Sequence, residues 1–110
     1  MKFSEGLYTY NISKKKQNRI CEHIRKHKSA RNLFFIVLPF RKDDGLLEIY
    51  PYNQLLQSYY RKFYSEITVV GLAKSREDAQ MLVLEIIQDM YDTTGEEFNV
   101  EKFFCVNKEP

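Results

Sequence analysis

Tryptophan is missing from this chain of 110 residues, and glycine, proline and cysteine are scarce, at four, three and two. So little glycine and proline excludes a collagen-like, low-complexity or disordered chain, and a lone glycine in any one stretch leaves no Gly-rich phosphate cradle of the nucleotide-binding kind. The two cysteines, Cys21 and Cys105, lack CxxC spacing, so they encode neither a metal knuckle nor a redox pair. They fit a reducing, cytoplasmic setting. No apolar run approaches the roughly twenty residues of a membrane helix, and residues 1–6 lack the apolar core of a secretory leader. A soluble cytoplasmic protein without membrane attachment is expected. Paired carboxylates and a nucleophile beside a base are also wanting at motif spacing. The chain therefore reads as a non-enzyme with no cofactor.

What is present is a globular composition, 44% apolar, 15% aromatic and 29% charged, with eight tyrosines and eight phenylalanines. This length and mixture support one domain spanning residues 1–110. The net charge of +2 conceals a polarity along the chain. Residues 1–31 hold nine Lys and Arg against Glu5 and Glu22, whereas residues 75–110 hold three against nine acids. Such ends neutralise one another within the fold, meet an anionic partner, or join copies head to tail.

Residues 66–92 organise the rest. Ile67-Thr68-Val69-Val70-Gly71-Leu72-Ala73 is apolar on both alternating faces, the pattern of a strand covered on two sides. Ser75, with Asp78 three residues on, forms an acidic variant of the capping box and starts a long helix. Ala79, Leu82, Val83, Ile86, Ile87 and Met90 supply its apolar face, which Met81, Leu84 and Tyr91 would widen. Thr93-Thr94-Gly95 ends it, with Gly95 suited to a left-handed cap.

Before that unit, residues 6–12 alternate as an edge strand. Ser13 caps a helix over residues 14–28 that is mostly exposed, with Ile20, Cys21 and Ile24 as its narrow apolar stripe. A second doubly buried strand covers residues 33–38 and ends at Pro39. Asp44-Gly45 signals a turn, with residues 46–50 returning antiparallel. Asn53 then caps a helix to about Tyr64, with Leu55, Leu56, Tyr59, Tyr60 and Phe63 on its apolar face. Residues 96–106 fit a short strand or a last helical turn, and residues 107–110 form a frayed tail. The sum is a single α/β domain, a mixed sheet of three to five strands with about three packed helices, its parallel crossovers right-handed.

The candidate functional residues fall into sets. Lys14, Lys15, Lys16, Arg19, Arg25 and Lys26 lie on the basic helix, and such a helix supplies salt-dependent, sequence-independent affinity for nucleic acid. The lysines in its first turn oppose the helix dipole. Tyr52, Tyr59, Tyr60 and Tyr64 form a tyrosine-rich surface for a protein partner or a second copy, because tyrosine suits sites with one apolar and one wet end. Lys74, Ser75 and Arg76 stand at a helix start after a central strand, where an anion binds in open α/β sheets. His23 and His27 share a helix face at zinc-like spacing. They lack the adjacent glutamate of a zinc protease and sit among cations, so no metal site is assigned. The combined reading is a small interaction module, self-associating as a homo-oligomer, and the alternative is a nucleic-acid-binding accessory protein acting through the basic helix.

Overall fold

The computed structural model describes residues 1–26, 32–40, 47–95 and 103–104, the side chains of Glu5 and Thr94 excepted. The closure of the basic helix at residues 27–31, the Asp44-Gly45 turn, the strand-or-turn segment apart from Phe103 and Phe104, and the tail 107–110 lie outside them. In chain order the elements are β1 (Lys2–Thr9), α1 (Lys14–Arg25), β2 (Phe34–Val37), β3 (Glu48–Pro51), α2 (Tyr52–Leu55), α3 (Ser58–Arg61), a 3₁₀ turn (Tyr64–Glu66), β4 (Thr68–Ala73) and α4 (Arg76–Thr94). The chain forms a single small α/β domain, and its described residues build a mixed sheet of four strands in the order β1-β4-β2-β3. β1 runs parallel to β4, while β2 is antiparallel to both β4 and β3.

The doubly apolar run becomes the central strand. Every residue of β4 is buried, as a strand covered on both faces requires. On one face, Phe35, Val37, Val69 and Leu72 meet Ile24 of α1, Tyr52 and Leu55 of α2 and Tyr60 of α3. On the other, Ile36, Val70 and Ala73 meet Ala79, Leu82, Ile86 and Met90 of α4. Three layers result, helices above and below one sheet.

A bulge reconciles the run with strict alternation. Ile36 pairs with Gly71 but Val37 pairs with Val69, so Val70 is an extra residue in β4. That insertion puts Val69 and Leu72 on the same side although three positions separate them. A Cβ on Gly71 would stand 2.9 Å from Cδ1 of Ile36 and 3.5 Å from the carbonyl oxygen of Tyr8, so a side chain here would force Ile36 to shift within the core.

Three expectations are corrected. The edge strand begins at Lys2 rather than Gly6 and ends at Thr9, its pairing with β4 slipping between Phe3 and Tyr8. The single helix over residues 53–64 is instead two short helices and a 3₁₀ turn, with Gln57 extended (φ −68°, ψ 150°) between the helices. One straight helix would put Tyr59 on the apolar face, whereas the break brings Tyr60 inward to Phe40 and Tyr50 and turns Tyr59 out. Finally, Met81, Leu84 and Tyr91 do not widen the buried face of α4; they are exposed, Leu84 by 62%. One sheet face covers only about a third of a helix circumference, and Ala79, Leu82, Ile86 and Met90 already fill it.

The Gly71 contact yields a stability test. Gly71→Ala is expected to cost about 1–3 kcal/mol by overpacking, read as a lower denaturation midpoint. Adding Ile36→Val, which removes the nearest carbon, should return part of that loss.

Candidate anion-binding crevice

The chain leaves the carboxyl ends of the parallel neighbours β1 and β4 towards opposite faces, from β1 to α1 and from β4 to α4. Diverging connections of this kind open a crevice beyond the sheet, the usual place for ligands in open α/β sheets. The crevice has a volume of about 480 Å³ and is lined by Lys16, Arg19, Ile20 and His23 of α1, by Asn32 and Leu33 ahead of β2, and by Lys74 after β4. No carboxylate is among these described lining residues.

Local sequence places each group. The hydroxyl of Ser13 accepts the backbone N–H of Lys16 at 3.2 Å, which starts α1 as expected of an N-cap. From there, spacings of three and four residues align Lys16, Arg19, Ile20 and His23 on one flank of the helix. Ile24 turns under the helix into the core. Across the crevice, β4 delivers Lys74, and Asn32 adopts a left-handed conformation (φ 52°) that asparagine tolerates well.

The electrostatics of this arrangement are lopsided. The side chains of Lys16 and Lys74 face each other across the crevice. That side-chain contact and the repulsion between the two charges lower the Lys16 pKa below the ordinary lysine value, with smaller contributions from desolvation and from Arg19. The first turn of α1 contains no acid to offset Lys14, Lys15 and Lys16, although that end of a helix already carries positive dipole charge. An anion seated here would relieve both repulsions.

The sequence candidates are redistributed. Of the basic set, Lys16 and Arg19 enter the crevice wall; Lys14, Lys15, Arg25 and Lys26 lie exposed outside it. Arg25 donates to Glu22 at 3.3 Å. Of the proposed anion set only Lys74 lines the crevice. The Ser75 hydroxyl accepts the backbone N–H of Asp78 at 3.0 Å as the cap of α4, and the Arg76 guanidinium lies 5.3 Å over the Phe34 ring on the α4 side of the sheet. The pairing of Lys74 with α1 was invisible in the sequence, because it follows from β1 and β4 being adjacent. Ile20, His23, Asn32 and Leu33 were missed as wall residues for the same reason.

The tyrosine surface is corrected too. Tyr52 is fully buried against Phe35, ring centroids 5.1 Å apart, and its hydroxyl has no hydrogen-bond partner. Burial raises its pKa. Tyr60 is buried and accepts from Gln54 Nε2 at 2.9 Å. Tyr64 is half-buried and donates to the Leu55 carbonyl at 2.6 Å, its pKa raised by burial. Tyr59 alone of the four is exposed, with the Lys62 ammonium 4.7 Å from its ring centroid. Tyr52 and Tyr60 are core residues of the sheet face that also buries Phe35, Tyr50 and Leu55.

Cys21 is half-buried, and burial pushes its thiol pKa up, against a smaller lowering by Arg25, which suits a packing role rather than nucleophilic chemistry. His27 and Cys105 lie outside the described residues, and among the described residues no three His, Cys, Asp or Glu are grouped to hold a metal ion. Among them, too, no helix is long and apolar enough to cross a membrane. Compared with known proteins, the chain matches no family model, no curated protein and no solved structure. The geometry alone therefore carries the functional argument.

Removing one of the opposed cations tests that geometry. Lys74→Gln should move the Lys16 titration midpoint back up towards the ordinary lysine range, followed by NMR of the side-chain methylenes; an unchanged midpoint would show that the two side chains do not interact.

Proposed function

We propose that this chain is a non-enzymatic binding module that captures a phosphate-bearing ligand in the crevice between α1 and the β4–α4 junction. The observation that carries the reading is the convergence of Lys16, Arg19 and Lys74, from two separate elements, on a cavity whose described lining holds no carboxylate. Cations brought together in a concavity favour an anion more than the same charges dispersed on a surface. The reading absorbs part of the nucleic-acid alternative, since a phosphate of any source meets the same groups. Thermal unfolding is expected to shift upward with inorganic pyrophosphate, by the equivalent of about 2.7 kcal/mol when the ligand stands a hundredfold above its Kd. Lys74→Glu should abolish the shift. An unchanged midpoint in the parent protein would overturn the reading.

A second reading, self-association, rests on a different observation. With Tyr52 and Tyr60 in the core, the exposed apolar residues of α4 replace the tyrosines as its surface: Met81, Leu84 and Tyr91 stand outward, and Leu84 and Tyr91 are seven residues, two turns, apart on one stripe. This is the pattern one helix presents to another. A dimer-sized particle is expected in sedimentation at high micromolar concentration, and Leu84→Glu should return it to monomer mass. A parent protein already monomeric at that concentration would reject self-association.

A further inference from the structure

The crevice is larger and more varied than a phosphate group needs. Its volume of about 480 Å³ lies within the range of small-molecule sites, about 300–1,000 Å³. Its polar and apolar groups adjoin one another. Lys16, Arg19 and His23 follow along α1, His23 lying seven residues beyond Lys16, about 10 Å at 1.5 Å per residue. The apolar part of the wall is Ile20, next to Arg19, and Leu33, whose neighbour Phe34 pairs with Ala73 just before Lys74. The aliphatic stems of lysine and arginine extend such apolar surface while their charged heads reach the ligand.

From this pairing of converging cations with an adjoining apolar wall we infer that the occupant is a small phosphate monoester with an apolar or aromatic body, its phosphate between Lys16, Arg19 and Lys74 and its body against Ile20 and Leu33. The inference rests on the phosphate-binding reading and narrows it. A phosphodiester polymer would follow cations spread along an open surface, and would leave the apolar wall without a role. Here the cations and the apolar residues share one concavity, so one terminal phosphate and one compact body use both. His23 and Asn32 complete the described wall.

The experiment is isothermal titration of the full chain with inorganic phosphate, phenyl phosphate and a single-stranded 20-mer oligonucleotide at low salt. Phenyl phosphate is expected to bind about tenfold more tightly than inorganic phosphate, the gain that burial of an aromatic body supplies. Ile20→Ser should erase most of that difference. Lys74→Gln should weaken both ligands together. Because Ile20 is half-buried, thermal unfolding of each variant confirms that it is folded. Equal affinity for inorganic and phenyl phosphate would overturn the monoester inference while leaving the phosphate-binding reading standing. An oligonucleotide that binds more tightly than phenyl phosphate and competes with it would replace the monoester with a polymer. Failure of all three ligands to bind would remove the parent reading as well.

Discussion

Burial of β4 on both faces is the constraint from which the rest follows. A strand whose side chains are apolar up and down needs cover above and below the sheet, and two covering layers require the chain to cross from one face to the other. It does so through α1 on one side and α4 on the other, leaving from strands that lie next to each other and point the same way. The crevice is thus a by-product of satisfying the core, available before any side chain is specialised for binding. The Val70 bulge belongs to the same solution: it lets one short strand serve two cores whose residues do not alternate strictly.

Against that background the distribution of charge stands out. A fold optimised for stability alone would put acids in the first turn of α1, as α4 does with Glu77 and Asp78, and would keep Lys74 away from Lys16. Instead α1 has only lysines there, and Lys16 and Lys74 line one crevice. Local electrostatic strain of this sort is a common companion of binding sites, where the ligand supplies the missing counter-charge. The contrast between the two helix starts, one balanced and one not, locates the tension at the crevice rather than across the whole molecule.

Much of the architecture was legible because it is written in local signals. Ser13 and Ser75 cap helices as their positions demand, residues 34–37 and 68–73 form the doubly buried strands, and α4 runs where its three- and four-residue spacing places it. What was illegible depended on competition between equally good local patterns. α4 carries two apolar stripes, and only the sheet decides that Leu82 and Ile86 go in while Leu84 and Tyr91 stay out. The tyrosines of residues 52–64 read as surface because tyrosine is amphipathic, but the second core draws on Tyr52 and Tyr60 for its bulk, leaving the Tyr52 hydroxyl unsatisfied. Lys16 and Lys74 lie far apart in sequence, and nothing short of the strand order joins them. The site was therefore half visible: its cations were named, but in two separate sets.

The two rims of the sheet carry a further consequence. Among the described residues β1 stands at one border, and it slips its pairing between Phe3 and Tyr8, so it is not the flat ladder that a new strand would need. β3 is only four residues long and ends in Pro51, which has no N–H to offer. Neither border is a good template for adding backbone from a neighbouring molecule. Open-ended growth of the described sheet by added backbone is thereby disfavoured at both borders.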